Sequence, residues 1–389
     1  MGPLNGIRVV EIGHALAGPF AGVMLADFGA DVIKIEQPGV GDSMRAMGPS
    51  LDDSSVWWSV TGRNKRSICI DYKKPEGLAV VHSLLEGADV LIENLRPGVM
   101  ARAGLGWDEL HARHPQLVML SISGYGGGGP YSDRPGFGKI AEAFSGATHL
   151  TGSADAPPVH PGYSLADASS GLMGAFGIMV ALRDRDNTGA GQHIDLALYE
   201  PLLRMIEWQV PLHELHGWTA KRLGAQFPFG GAFLTDICET ADGSNVVISA
   251  ATTKALNSVR SMLAGLGMDE AAAAPVEIMN EALRQWIRTK QREEVVEILR
   301  AHDVVAGPVY SPADIVADPH IKARGNIVTV EDSSGARIPM PGVVPQLGAS
   351  PGSVRWAGPA LGEHSDDVLR EIGIEGEELA RLRGEGVIS

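Results

Sequence analysis

The sequence predicts an α/β fold with a mainly parallel sheet, and a smaller α+β region inserted before the chain's end. Three observations carry this reading. Short β-rich apolar runs alternate with helical patterns through the first 200 residues. The first run passes through a glycine-containing turn into a helix, the local grammar of βαβ units. From about Gln226 the texture changes to a hairpin-like pair and then an Ala-rich helical region.

Taken in order, Ile7–Ile12 reads as the first strand, with an amphipathic helix from about Pro19 to Phe28. The runs Asp31–Glu36, Arg66–Asp71, Asp89–Glu93 and Leu117–Ile122 supply four further strands of about five residues. Between them, Pro75–Glu86 places Leu78, Val81, Leu84 and Leu85 on one helical face. A glycine-rich loop, Gly124–Pro130, interrupts the alternation. Helical segments follow at Lys139–Ser145 and Asp167–Leu182, then a strand-like Gln192–Leu198 and a helix from Glu200. Phe233–Thr240 and Asn245–Ala250 form a hairpin around Ala241-Asp242-Gly243, and helical sequence runs on to about His302. The tail returns to β sequence at Asn326–Val330 and ends in charged helices over Ser365–Arg383. The expected division is therefore 1–225, 226–325 and 326–389.

Composition narrows the function classes. The chain has 389 residues, 44% hydrophobic and 20% charged, which is globular and long enough for two domains. A net charge of -15 and a pI near 5.2 repel phosphate backbones and anionic lipid, so neither nucleic acid nor membrane is an expected partner. Cys69 and Cys238 stand far apart in no CxxC pair, which argues against disulfides and zinc-thiolate sites; no metal is expected. No signal-peptide pattern opens the chain, and its longest apolar stretch, Gly171–Leu182, has 12 residues against the roughly 18 a bilayer span needs. A cytoplasmic location is the expectation.

Two segments carry candidate chemistry. The turn Gly13–Pro19 precedes a helix N-terminus, where orphan N–H groups favour anions. It holds only Gly13 and Gly18, short of the three glycines of a dinucleotide fingerprint, although Glu36 stands where such folds keep a ribose-binding acid. Asp167 stands in Ser164–Gly171, ahead of the apolar helix. It is either a helix cap or a nucleophilic carboxylate among small residues that leave room for a bulky substrate. Other patterns fall short. Gly162–Ala166 lacks the last glycine of a nucleophile elbow, and His213/His216 lack the i, i+4 spacing of a metal helix. The Gly126–Gly129 run reads equally as a mobile loop or a plain connection.

Seven collinear segments together resemble family III CoA-transferases, the formyl-CoA and L-carnitine CoA-transferase group. They are Gly13–Pro19, Gly29–Glu36, Asn64–Ser67, Glu93–Gly98, Ala143–Gly146, Ala166–Gly171 and Gly189–Asp195. The resemblance implies a Rossmann-like large domain built from both chain ends, a small domain between, and an interlocked homodimer. It implies that Asp167 is the covalent nucleophile and that CoA meets His14, Ala15, Leu16, Lys73, Asn94, Leu95 and Arg102. Ile70 and Ala103 fit neighbouring contacts, and Arg96 a basic one. At Gln37 the chain departs from relatives with an adenine-side arginine. Acyl-CoA and a small carboxylic acid would be substrates, with no tightly bound cofactor. Asp167 would attack the donor thioester to give a mixed anhydride and CoA thiolate, then carry CoA as an aspartyl thioester to the acceptor acid. N–H donors for the developing oxyanions would come from the glycine-rich loop or the helix start after Asp167.

Three rivals stand beside this reading. An α-methylacyl-CoA racemase shares the fold but needs a histidine base where this chain has Phe137. An NAD-dependent oxidoreductase lacks its glycine fingerprint. A non-catalytic CoA-binding protein would have no use for Asp167. The acyl pocket is open on sequence alone; Trp57, Trp58 and Phe227–Gly231 are candidates to shape it or simply to pack.

Overall fold

A computed structural model describes residues 2–51, 54–226 and 234–389. Two compact units emerge. The larger contains the chain up to Ala147, His160–Glu207 and Lys322–Ser389; the smaller contains Thr148–Val159 and Trp208–Ile321.

The larger unit is built on six parallel strands: β1 (Arg8–Ile12), β2 (Asp31–Glu36), β3 (Lys65–Cys69), β4 (Val90–Glu93), β5 (Val118–Ser123) and β6 (His193–Ala197). Their order across the sheet is β3-β2-β1-β4-β5-β6, so the winding reverses between β1 and β4. That reversal opens a crevice at the carboxyl ends of the two strands, where open parallel sheets take their ligands.

Near-continuous Val and Ile runs form these strands because both sheet faces are covered. On one face Val9, Val32, Ile92 and Leu120 pack with helix α1 (Ala17–Ala26) and the long helix α4 (Leu165–Thr188). On the other, Val10, Ile33, Ile68 and Leu91 pack with α2 (Pro75–Glu86) and with Val368, Leu369 and Leu382 of the C-terminal helices. Pro75 opens α2 at a position where no intrahelical N–H is needed. The edge strand β3 is sealed by the tail. Trp356 Nε1 donates to Lys65 O (3.0 Å), His364 N donates to Ser67 O (2.9 Å), and Ile388 bridges Ile70. The tail also forms an antiparallel hairpin, Ile327–Glu331 with Arg337–Pro341.

Helix α4 corrects one expectation. The expected helix Asp167–Leu182 is extended at both ends to 24 residues, Leu165–Thr188, long and apolar enough by composition to cross a bilayer. Half of its most apolar window is buried in the molecule. Small residues explain its closest neighbour: a Cβ on Gly171 would lie 2.7 Å from Ala17 O, so α1 and α4 meet at near-backbone distance. This brings the first residues of both helices to the same place.

In the smaller unit Leu234–Glu239, Asn245–Ala250 and Ala306–Pro308 form an antiparallel sheet backed by three helices, Thr253–Gly265, Val276–Ile287 and Arg292–Ala301. The amphipathic spacing of Val259, Met262, Leu263, Met279, Leu283, Ile287, Val295 and Leu299 buries one stripe from each. Phe233 and Phe227–Gly231 lie outside the described residues.

Candidate active site

The turn after β1 is held by side chains from three other segments. Asn94, just beyond β4, accepts from His14 N at 2.7 Å and donates to His14 O at 2.9 Å. Asp42 Oδ1 accepts from Ala15 N (2.9 Å), which keeps Ala15 in the left-handed region at φ 59°. Lys34 Nζ donates to Gly13 O at 2.8 Å. The turn's two glycines serve this packing: a Cβ on Gly13 would stand 2.9 Å from Asn94 Oδ1, and one on Gly18 3.2 Å.

Beneath the turn lies a buried ionic network. Lys34 and Lys65, both fully buried, share Glu11: Lys34 Nζ lies 2.8 Å from Oε1 and Lys65 Nζ 2.8 Å from Oε2. Lys34 also pairs with Asp42 at 2.8 Å. Burial opposes charge on Lys34, but Glu11, Asp42 and Glu36 outweigh it and raise its pKa. Burial likewise pushes Glu11 upward, and the two lysines overcome this to hold it ionised below the usual carboxylate range. Each charge is paired, which makes the burial tolerable. Glu36 is spent here as well. It takes Arg45 Nη2 (2.6 Å), Ser67 Oγ (2.6 Å) and Asp42 N (2.9 Å), so no free ribose-binding acid stands at the end of β2.

Asp167 is the third residue of α4 and half-buried. Ser164, the residue before the helix, makes no side-chain cap. Gly138, first residue of α3 (Gly138–Phe144), lies directly against it: a Cβ there would be 2.3 Å from Asp167 Oδ2. Burial raises the Asp167 pKa, and the nearby Glu142 carboxylate adds to the rise. Glu142 is itself almost fully buried and paired with Lys139 (3.1 Å) and His160 Nδ1 (2.8 Å). Lys139 Nζ also donates to the carbonyls of Pro161 (3.0 Å) and Tyr163 (2.9 Å), tying α3 to the segment that leads into Asp167.

A cavity of about 270 Å³ collects these parts. Asp167, His14, Ala15, Leu16, Asn94, Leu95 and Arg96 all line it, together with Arg134 and Phe137. A second cavity, of about 500 Å³, is lined by Lys73, Lys74, Arg102 and Ala103. The stretch from Asn94 to Ala103 borders both. Lys73 and Arg102 are exposed and, among the described residues, make no ion pair. Ile70 and Gln37 line neither cavity; the Ile70 side chain is wholly in the core. Asn94 directs its carboxamide to His14, so it builds the turn. Trp58 is packed, donating to Pro359 O (2.9 Å) beneath the Arg45 guanidinium. The Gly126–Gly129 run does not line the Asp167 cavity, and Gly127 N is held by the Asp195 carboxylate at 2.9 Å. That amide is therefore not free for an oxyanion.

A third cavity, about 180 Å³, adjoins at Leu95 and Pro97. Its wall holds Glu93, whose carboxyl burial pushes up to about 7, and His193, whose Nε2 lies 2.9 Å from Ser121 Oγ. Among the described residues no group of three His, Cys, Asp or Glu side chains is arranged to hold a metal. Sequence reasoning missed Arg134, Gly138, Glu142, Lys139, His160 and Asp42. Only the charged Lys139–Glu142 pair at i, i+3 left a signal, and its ordinary reading is a solvated helix face.

The model of CoA-transferase family III matches residues 4–365. Succinyl-CoA–D-citramalate CoA-transferase of Chloroflexus aurantiacus is 39% identical over 400 residues, covering 99% of this chain and 98% of that one. The beta subunit of succinyl-CoA–L-malate CoA-transferase from the same organism is 39% identical over 406 residues, with coverage of 99% and 98%. Among solved structures, a CAIB/BAIF family protein from Brucella suis superposes with a TM-score of 0.85 at 32% identity, covering 95% of this chain and 99% of that one.

Proposed function

The chain belongs to CoA-transferase family III and moves CoA from an acyl-CoA to a carboxylic acid, and we propose that Asp167 is the group through which CoA passes. One observation carries the proposal: Asp167 shares a cavity with the His14–Leu16 turn, and that cavity's rim, Asn94–Ala103, leads to a second, cationic one. CoA laid along this rim puts its phosphates at Lys73 and Arg102 and its thioester beside Asp167. Arg96 stands between the two ends.

In the reaction the Asp167 carboxylate adds to the donor thioester carbonyl and expels CoA thiolate, leaving a mixed anhydride. The thiolate then attacks the aspartyl carbonyl of that anhydride, releasing the donor acid and forming an aspartyl-CoA thioester. The acceptor carboxylate then attacks the aspartyl-CoA thioester, the reverse of the second step, expelling CoA thiolate and forming a new mixed anhydride; the thiolate attacks the acceptor acyl carbon of that anhydride, giving the product thioester and freeing the Asp167 carboxylate. Acyl activation is kept without ATP as long as water stays out. The donor we propose is a succinyl-type thioester, as in the names of the 39% identical relatives. The racemase alternative has no support at Phe137, whose ring lines the cavity and carries no proton.

The partner we propose is a second copy of this chain, interlocked as the resemblance implies. Leu172, Phe176, Met179 and Val180 form an exposed apolar stripe on α4, with Phe176 64% accessible. Burying that stripe in a homodimer also makes α4 a core helix and not a membrane span. Free, buried Cys69 and Cys238 support a cytoplasmic location. The test is Asp167→Ala. Transfer from succinyl-CoA to free carboxylic acids should vanish while sedimentation still reports a folded dimer. Near-wild-type exchange would sink the nucleophile assignment, and a monomer in wild-type protein would sink the dimer.

A further inference from the structure

We propose that Arg134 selects acids bearing a second carboxylate by binding the one farther from the reacting carbon, a step that rests on the CoA-transferase reading above. Two arginines line the Asp167 cavity. Arg96 belongs to the rim that leads toward Lys73 and Arg102, and so faces the phosphate side of a bound thioester. Arg134 comes from the other wall, in the loop after β5, and borders the Asp167 cavity but not the cationic one.

Its surroundings fix it for a planar anion. The Arg134 guanidinium lies 3.7 Å over the Tyr131 ring, and Arg134 N donates to Tyr131 O at 2.9 Å, so backbone and side chain are both tied to that tyrosine. Tyr131 is wedged edge-on against Tyr125 and Phe144 at centroid distances of 5.9 and 6.0 Å. Among the described residues Arg134, exposed on its loop, has no carboxylate partner, and it lines the same cavity as Phe137, Ile122 and Leu198. An acyl chain ending in a methyl group, packed against this solvated cation, would strip water from it without supplying an acceptor. A chain ending in a carboxylate supplies the planar, two-point partner a guanidinium prefers. In the donor complex the reacting thioester carbonyl is neutral, so the carboxylate this charge recognises there is the one at the far end of the acyl group.

The experiment compares succinate with butyrate as acceptors, and succinyl-CoA with butyryl-CoA as donors, in wild type, Arg134→Gln and Arg134→Lys. Wild type should favour the dicarboxylic member of each pair. In Arg134→Gln the ratio of kcat/KM between the pair should fall by about 30-fold, the size of one lost charge-assisted bidentate contact, and Arg134→Lys should restore part of it. Arg96→Gln should raise KM for both members alike. An unchanged ratio in Arg134→Gln overturns the proposal, as does a wild-type preference for butyrate. Absence of transfer for every pair overturns the CoA-transferase reading as well, which separates the two failures. Circular dichroism of each variant guards against loss of fold, and should Arg134→Gln unfold, Arg134→Met is read in its place.

Discussion

Gly138→Ala isolates the contact between α3 and the nucleophile. The added Cβ would stand 2.3 Å from Asp167 Oδ2, where ordinary contact begins at 3.4 Å. The carboxylate, as the free end of a side chain, must retreat by roughly 1 Å, and a misplacement of that size at a reacting group costs about 100-fold in rate, or about 2.7 kcal/mol of barrier. Stability should move little. Gly138 lies outside the left-handed region, at the start of a helix, and Ala is the better helix former by up to about 1 kcal/mol. Steady-state CoA transfer and thermal melting, run on the same preparation, therefore separate the two effects: kcat falls about 100-fold while the melting temperature holds or rises. If Gly138→Ala keeps kcat within about threefold of wild type, the placement of Asp167 against Gly138 is wrong or the carboxylate is not the reacting group.

Two further predictions concern the buried charges. Lys65→Met leaves Glu11 paired with Lys34 alone at a fully buried site, and should lower unfolding free energy by about 3 kcal/mol in urea denaturation; unchanged stability would mean the pair contributes nothing net. Glu93 makes stability depend on pH. Its folded-state pKa is raised from 4.5 to about 7 by burial, so the folded protein binds more protons between those values and loses roughly 3 kcal/mol as pH climbs through them. Glu93→Gln should abolish that part of the slope, read from denaturation midpoints at pH 5 and pH 8, and an identical slope in both proteins would refute it.

Much of this architecture is written in apolar periodicity. Asp31–Glu36, Pro75–Glu86 and Asn245–Ala250 occupy the residues their patterns predict, because strand and helix faces there are decided by local burial. The later half of α4 is not legible in that way. Its Arg183–Asp186 stretch is charged and reads as a terminus, yet Arg185 pairs with Asp89 at 2.9 Å and carries the helix on to Thr188. The hairpin partner Arg337–Pro341 hides behind two prolines that demote it as a strand. The nucleophile's setting is harder still. Asp42 reaches the His14–Leu16 turn from a loop, and Glu142 and Arg134 reach the Asp167 surroundings from a short helix and a turn; only tertiary packing gives these ordinary surface-type residues their places. Glu36 shows the opposite failure: it stands at a suggestive position, and an internal arginine consumes it.

The seal on β3 has a consequence for how the protein is made. The strand ends at Cys69, and its covering groups, Trp356, His364 and Ile388, leave the ribosome about 290 to 320 residues later, a wait of roughly 15 seconds to a minute at about 5–20 residues per second. Through that interval one margin of the sheet offers unpaired amides and carbonyls to any passing chain. Output in a cell should thus be governed less by how stable the finished enzyme is than by whether a nascent-chain chaperone shields that margin, and co-expressing one should raise soluble yield more than lowering the growth temperature does.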